Sequence, residues 1–209
     1  MSVAVRQFGR ILLSQNTAAV NVAAMSRAFS APSGDFLTQK REYAFKQFFD
    51  TNQNKIMDWE DFELILEKIV ATRRLTTPEY EAAKGALSSI WEQLLRDAKA
   101  KDTTVTLNEW LQMWEDHRRM KWEKPYEGFL FNLFSKGKNT IEKPGYVEVM
   151  QLHGKNPKEA AECFAAIARD EDGDPINAIG SSRFTLLWNQ FFHSGDRKAP
   201  GNSLFGRLA

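Results

Sequence analysis

The 209-residue sequence predicts an all-α protein. Apolar residues recur at helical spacing, strong helix-start signals precede several of these segments, and no strand longer than three residues is convincing. The segment that follows Trp59 shows the periodicity well. Its apolar residues return at intervals of 3, 4 and 7, which places one apolar face on an amphipathic helix. These residues are Phe62, Ile65, Leu66 and Ile69.

Helix starts are marked by residues that satisfy free backbone groups. Pro78 and Glu79 mark the start of one helix. Proline is tolerated in the first turn, and the positive end of the helix dipole stabilises an acid there. Thr106 and Glu109 form a capping-box pattern that opens another. After Asp35 we predict eight short helices in all.

The eight helices form four pairs with one layout, which is an internal repeat. Each pair has a helix, a loop of about a dozen residues with one apolar residue late in it, and a second helix. The late apolar residues are Met57, Val105, Ile141, and either Ile176 or Ile179. Five residues beyond each (counting from Ile179 in the last pair) stands an aromatic residue that we expect in the core: Phe62, Trp110, Tyr146 and Phe184.

Composition excludes several classes of function. The net charge of +1 gives no reason to expect nucleic acid or an anionic membrane as partner, and no apolar run is long enough to span a bilayer. The single cysteine, Cys163, excludes an internal disulfide and fits a reducing compartment. No catalytic motif is present, so we do not expect an enzyme.

The first loop, DTNQNKIMDWED from Asp50 to Asp61, has the pattern of a metal site. Calcium takes six to eight oxygen ligands, and a twelve-residue loop supplies them from positions 1, 3, 5, 7, 9 and 12. The candidate ligands at these positions are Asp50, Asn52, Asn54, the carbonyl of Ile56, Asp58 (through water) and Asp61.

Two residues depart from this pattern. Lys55 stands where glycine is usual, and a left-handed backbone there costs a residue with a Cβ about 1 kcal/mol. Asp61 stands where glutamate normally chelates, and its shorter side chain favours magnesium more than usual. The alternative interpretation is a turn rich in Asn and Asp that binds no metal.

The other three loops lack ligands. The second has Ala98 and Ala100 at its first and third positions, and the third has Lys136 and Lys138, which repel cations, at its third and fifth. No register of the fourth loop builds a regular site. The alternative there is an irregular second cation site using Asp170, Asp172 and Asp174.

The fourfold layout, the first loop, the aspartate at its end and the tail PGNSLFGRLA resemble the EF-hand superfamily, in particular the sarcoplasmic calcium-binding protein and calexcitin group. The resemblance spans residues 36–209. It implies four EF hands in two paired lobes that form one compact domain, with an N-terminal pair at 34–120 and a degenerate C-terminal pair at 121–209. It also implies a calcium buffer or weak sensor that binds Ca²⁺ in the first loop, with Mg²⁺ possible at the same site. The alternative is a metal-independent structural or interaction protein that kept the fold.

The N-terminal segment differs from the rest of the chain. Residues 1–33 contain no Asp or Glu, and they carry Arg6, Arg10 and Arg27 on a partly amphipathic pattern. This composition predicts a mitochondrial transit peptide, cut near Phe29 or Ser30, and a matrix location. The alternative is a disordered or structural N-terminal helix.

Overall fold

The computed structural model describes residues 34–116 and 120–208. Most of these residues lie in eight α-helices, and the strands between them are two or three residues long, which confirms the predicted all-α class. The predicted transit peptide, residues 1–33, lies outside the described residues. The elements are α1 Gly34–Ala44, β1 Ile56–Met57, α2 Trp59–Arg73, α3 Thr77–Ala98, β2 Val105–Thr106, α4 Leu107–Glu115, α5 Glu123–Ser135, β3 Thr140–Glu142, α6 Lys143–Leu152, α7 Pro157–Ile167, β4 Ala178–Gly180 and α8 Ser181–His193.

The strands pair the loops two by two. β1 is antiparallel to β2, with Met57 opposite Val105, and β3 is antiparallel to β4, with Ile141 opposite Ile179. All four of these side chains are buried. The late apolar residue of the fourth loop is therefore Ile179 rather than Ile176. The first loop thus faces the second, and the third faces the fourth.

Helix α1 does not end as an ordinary α-helix. It continues into a π-helical turn, Phe45–Phe49, closed by a hydrogen bond from the Asp50 N–H to the Phe45 carbonyl (2.8 Å). The wider turn leaves Phe45, Phe48 and Phe49 buried. Such turns occur often at functional sites, and this one leads directly into the first loop.

The core is rich in aromatic residues and joins the two halves of the chain. The four aromatics at the repeated offset, Phe62, Trp110, Tyr146 and Phe184, are each at most 6% exposed, as predicted. Phe49 bridges the halves, because its ring lies 5.0 Å from Trp110 and 5.1 Å from Tyr126. Offset and edge contacts of this kind stabilise beyond the apolar area they bury.

The C-terminal segment is tied to α1 by a buried lysine. Lys40 Nζ donates to the carbonyls of Gln190 (2.7 Å) and Ser194 (2.6 Å) and to Asn202 Oδ1 (2.9 Å). Burial, followed by repulsion from Arg41, lowers the pKa of Lys40 to about 8. The three acceptors satisfy its ammonium group, as burial of a charge requires.

A short 3₁₀ turn, Pro200–Ser203, precedes the last residues of the described tail. The Tyr43 hydroxyl donates to the Phe205 carbonyl (3.0 Å), and the Tyr146 hydroxyl donates to the Leu204 carbonyl (3.0 Å). Phe205 is fully buried, with its ring 4.7 Å from Phe48. The tail is therefore part of the core. Within the described residues, no helix is long and apolar enough to cross a membrane.

Candidate metal centre

The first loop lies between the π-helical turn and α2, and a chain of turn hydrogen bonds shapes its first half. The Lys55 N–H donates to Asp50 Oδ2 (3.0 Å), and the Asn54 N–H donates to Asn52 Oδ1 (3.0 Å). The Ile56 N–H donates in turn to Asn54 Oδ1 (2.9 Å). The predicted residues at positions 1, 3 and 5 thus each accept from a backbone donor further along the loop. These local bonds curl the chain back on itself.

The backbone conformation of Lys55 agrees with the sequence analysis. Its φ is 73°, in the left-handed region, and Gln53 also has a positive φ of 59°. Each costs a non-glycine residue about 1 kcal/mol. The left-handed backbone at Lys55 directs its N–H to Asp50, and this hydrogen bond offsets the cost. Lys55 itself is exposed.

One ligand atom of the loop is buried and accepts no hydrogen bond. Asp50 is only 5% exposed, and its Oδ1 has no donor among the described residues. A buried carboxylate oxygen without a partner is costly, so such an atom calls for a cation or another donor. This observation fits a metal ion at the first half of the loop.

The carboxylate of Asp61 is used differently. Its Oδ1 accepts from the N–H groups of Thr51 (2.7 Å) and Asn52 (3.0 Å), and its Oδ2 accepts from the N–H of Asp58 (3.0 Å). Asp61 is 1% exposed. Burial is the largest influence and raises its pKa, while the three backbone hydrogen bonds act in the opposite direction. Both oxygens therefore already have backbone donors.

The two remaining predicted ligands lie at the far end of the loop. Ile56 is in β1, opposite Thr106. Asp58 is the N-cap of α2, and its Oδ1 accepts from the Glu60 N–H (2.9 Å). Asp58 and Asp61 together form a capping box. The end of the loop is therefore organised as a helix start.

Across 34–116 and 120–208, the His, Cys, Asp and Glu side chains form no group of three or more that could hold a metal ion. The six residues predicted from the sequence, which include Asp58 and Asp61, stay the predicted ligands of a cation in the first loop. Three of these predicted ligands carry no charge: the side-chain amide oxygens of Asn52 and Asn54 and the carbonyl of Ile56.

The second and third loops begin with helix caps instead of a ligand ring. Helix α3 ends at a left-handed Lys99, and the Ala100 N–H donates to the Leu95 carbonyl (3.0 Å). Helix α5 ends at a left-handed Lys136, and the Gly137 N–H donates to the Asn132 carbonyl (3.0 Å). These bonds satisfy the helix-end carbonyls within the helix termini.

The last position of the third loop is closed to any side chain. A Cβ on Gly145 would lie 2.2 Å from the Phe134 carbonyl oxygen, the first residue of the same loop. Glycine is required because the start of α6 rests on that backbone. Lys136 forms an ion pair with Glu148 instead of facing an ion.

The fourth loop is longer at its start, because α7 ends at Ile167. Asp170 Oδ1 accepts from the N–H groups of Asp172 (3.1 Å) and Asp174 (2.8 Å). The three acids of the alternative second site thus lie in one exposed turn. Arg183 occupies the position of the last ligand.

Sequence reasoning did not identify the contacts behind the first loop. Phe48 stacks on His153 of the second half, with ring centroids 3.6 Å apart. Both line a small cavity of about 20 Å³ that also touches Thr51 and Asp61, and such a volume can hold a water molecule. No local pattern pointed to His153, because its partner lies in a distant hand.

Comparisons with known proteins agree with this architecture. The chain is 28% identical to calexcitin-1 of Caenorhabditis elegans over 201 residues, which cover 94% of this chain and 98% of that protein. It is 32% identical over 84 residues to the sarcoplasmic calcium-binding proteins I, III, and IV of Branchiostoma lanceolatum, covering 39% of this chain and 45% of theirs. No family model matches the chain.

The solved structure of an amphioxus sarcoplasmic calcium-binding protein superposes with a TM-score of 0.67 at 22% identity, covering 83% of this chain and 97% of that one. The fold and the paired loops define the class of the protein: the chain has the EF-hand fold, with four helix–loop–helix units whose loops pair two by two. Within that class it resembles the sarcoplasmic calcium-binding protein and calexcitin group, as predicted.

Proposed function

We propose that this protein binds calcium through its first loop and acts as a buffer or weak sensor. The observation that carries the proposal is the buried Asp50 Oδ1, which has no hydrogen-bond donor among the described residues. The same loop also carries the side-chain oxygens of Asn52 and Asn54. Two proteins that are similar over 39% and 83% of this chain are named for calcium binding, which supports the same ion.

The ligand set predicts weak binding at one site. Asp50 supplies the negative charge, while Asn52, Asn54 and the Ile56 carbonyl supply neutral oxygens. A bound cation would have its charge partly neutralised by the Asp50 carboxylate. Affinity of such loops follows ligand charge, so we expect a dissociation constant on the order of 10⁻⁴ M. The small number of ligands also allows magnesium at the same site.

The test is a calorimetric calcium titration of the full chain, with and without millimolar magnesium. We expect one binding event per chain, without cooperativity because the paired second loop is built as a helix cap. Asp50→Asn keeps the shape and the acceptor for the Lys55 N–H but removes the charge. We therefore expect it to weaken calcium binding about tenfold or more.

Asp102→Asn is the matched control, because it makes the same change in the second loop. Asp102 is exposed and accepts from the Thr104 N–H (2.9 Å). Its replacement leaves the titration unchanged if the first loop is the site. No heat with either ion would contradict the proposal and favour a metal-independent interaction role.

We also propose that residues 1–33 direct the protein to the mitochondrial matrix. The support is compositional, since this segment has arginines and no acids. A fluorescent protein fused after residue 33 is expected to enter mitochondria. Changing Arg6, Arg10 and Arg27 to Glu should leave it in the cytosol, whereas changing them to Lys should not. A fusion that remains cytosolic with the native segment contradicts this proposal.

A further inference from the structure

We propose that Asp61 is a positioning residue that holds the first loop closed when no ion is bound. It is placed where the last ligand of a regular loop stands, yet each of its oxygens already accepts from the loop backbone. Asp61 thus performs internally the joining of the two halves of the loop that a cation would otherwise perform. This inference rests on the proposed function for its consequence, although not for its geometry.

The three hydrogen bonds of Asp61 join parts of the loop that are separate in sequence. Oδ1 accepts from the N–H groups of Thr51 (2.7 Å) and Asn52 (3.0 Å), just after the π-helical turn. Oδ2 takes the N–H of Asp58 (3.0 Å), at the start of α2. A charged acceptor with several backbone donors makes strong, short bonds. At 1% exposure, water competes little for them.

Among the described residues, no other hand has this arrangement at the same position. In the second loop, Glu109 Oε2 accepts from the N–H (2.9 Å) and hydroxyl (2.8 Å) of Thr106 and so caps α4. Within the part of the chain that the structure describes, no bond joins it to the first half of the loop. The third loop has Gly145 at this position, and the fourth has Arg183. The bridge is therefore a feature of the loop that carries the ligand set, not a general feature of the fold.

A loop that is already closed needs little rearrangement to take an ion. Asp50, Asn52 and Asn54 stand in their turn before binding, so the cost of ordering them does not reduce affinity. Equally, binding does not drive a large movement of α2 against α1, because the joining step is already complete. The consequence is a site suited to buffering, since its two states differ little in shape.

The direct test is amide hydrogen exchange of the full chain in EDTA. If Asp61 closes the loop, the N–H groups of Thr51 and Asn52 are protected without any ion. In Asp61→Asn one oxygen acceptor is lost, so the side chain can no longer serve both halves of the loop. We expect the amides of Thr51 and Asn52, the amide of Asp58, or all three to lose protection about tenfold or more. We also expect Tm in EDTA to fall by about 5 °C.

Glu109→Gln is the matched control, since it makes the same change at the same position of the paired loop. It touches only a helix cap, so its Tm should fall by less than half as much and Thr51 should keep its protection. Free exchange of Thr51 and Asn52 in wild-type EDTA samples would overturn the proposal. So would equal losses of Tm in the two variants, because Asp61 would then be only a cap.

Calcium titration separates this proposal from the proposed function. If the wild type binds no calcium but Thr51 and Asn52 are protected in EDTA, the closure by Asp61 stands and the calcium function fails. If calcium binds and these amides become protected only then, the calcium function stands and the closure by Asp61 is overturned. Binding with the same protection before and after calcium supports both.

Discussion

At the scale of single residues, His153 makes the stability of the protein sensitive to acid. Burial, with repulsion from Lys68 and Lys155, lowers the pKa of His153 to about 3, and its ring stacks on Phe48. The unfolded chain therefore binds a proton between about pH 6.5 and pH 3 that the folded protein does not, so stability falls as pH falls through this range. Because His153 is only partly buried, we expect a loss of about 2 kcal/mol from pH 7 to pH 4, below the full linkage value.

Urea unfolding at several pH values measures this loss. His153→Phe keeps a ring for stacking on Phe48 and removes the titrating group, so its stability should change less over the same range. His193→Phe is the control, because His193 is exposed at its pairing with Glu123. If the loss of stability in acid is unchanged in His153→Phe, other titrating groups cause it.

At the scale of elements, the compact loop of the third hand requires a glycine. A Cβ on Gly145 would meet the Phe134 carbonyl oxygen at 2.2 Å, and backbone on both sides leaves little room to adjust. We expect Gly145→Ala to lower the free energy of unfolding by about 3 kcal/mol, measured by urea unfolding.

Gly128→Ala is the matched control, because that glycine lies in the middle of α5 with open space around it. It should be neutral or slightly stabilising, since alanine is the better helix former. Equal effects of Gly145→Ala and Gly128→Ala on the free energy of unfolding would show that α6 can shift away from the loop.

At the scale of the whole molecule, the tail packs against both halves of the chain, and we expect the halves to unfold together. Phe205 is fully buried, 4.7 Å from Phe48 of the first hand and 4.9 Å from Phe191 of the fourth. Truncating such a ring removes its burial and leaves a cavity. We expect Phe205→Ala to lower the free energy of unfolding by about 3 kcal/mol while far- and near-UV circular dichroism still change in one transition. Leu208→Ala, at the partly exposed chain end, should have a small effect. A wild type that unfolds in two steps would show that the halves are separate units.

Local pattern was enough to predict the helices and their pairing. The periodicity of Phe62, Ile65, Leu66 and Ile69 depends only on residues within one helix, and all four are buried as predicted. The capping box of Thr106 and Glu109 is likewise a contact across one turn. The left-handed backbone of Lys55 followed from its place in the loop. Each of these features is decided by neighbours a few residues away.

Other features depended on contacts between distant parts of the chain. The choice of Ile179 over Ile176 was made by pairing with Ile141 in another hand. The need for glycine at position 145 came from the way the start of α6 rests on the Phe134 carbonyl. His153 acquired its environment from Phe48, which precedes the first loop. The spacing of residues along the chain does not predict such contacts between distant segments.

The sequence by itself therefore determined the class of fold, the four hands and the one loop with oxygen-bearing side chains at the required positions. Only the tertiary structure decided how those oxygens are used. It left Asp50 Oδ1 without a donor and gave Asp61 three backbone donors. The physical reason is that a sequence shows which groups can accept a hydrogen bond, whereas burial and the approach of backbone donors decide which of them remain available for an ion.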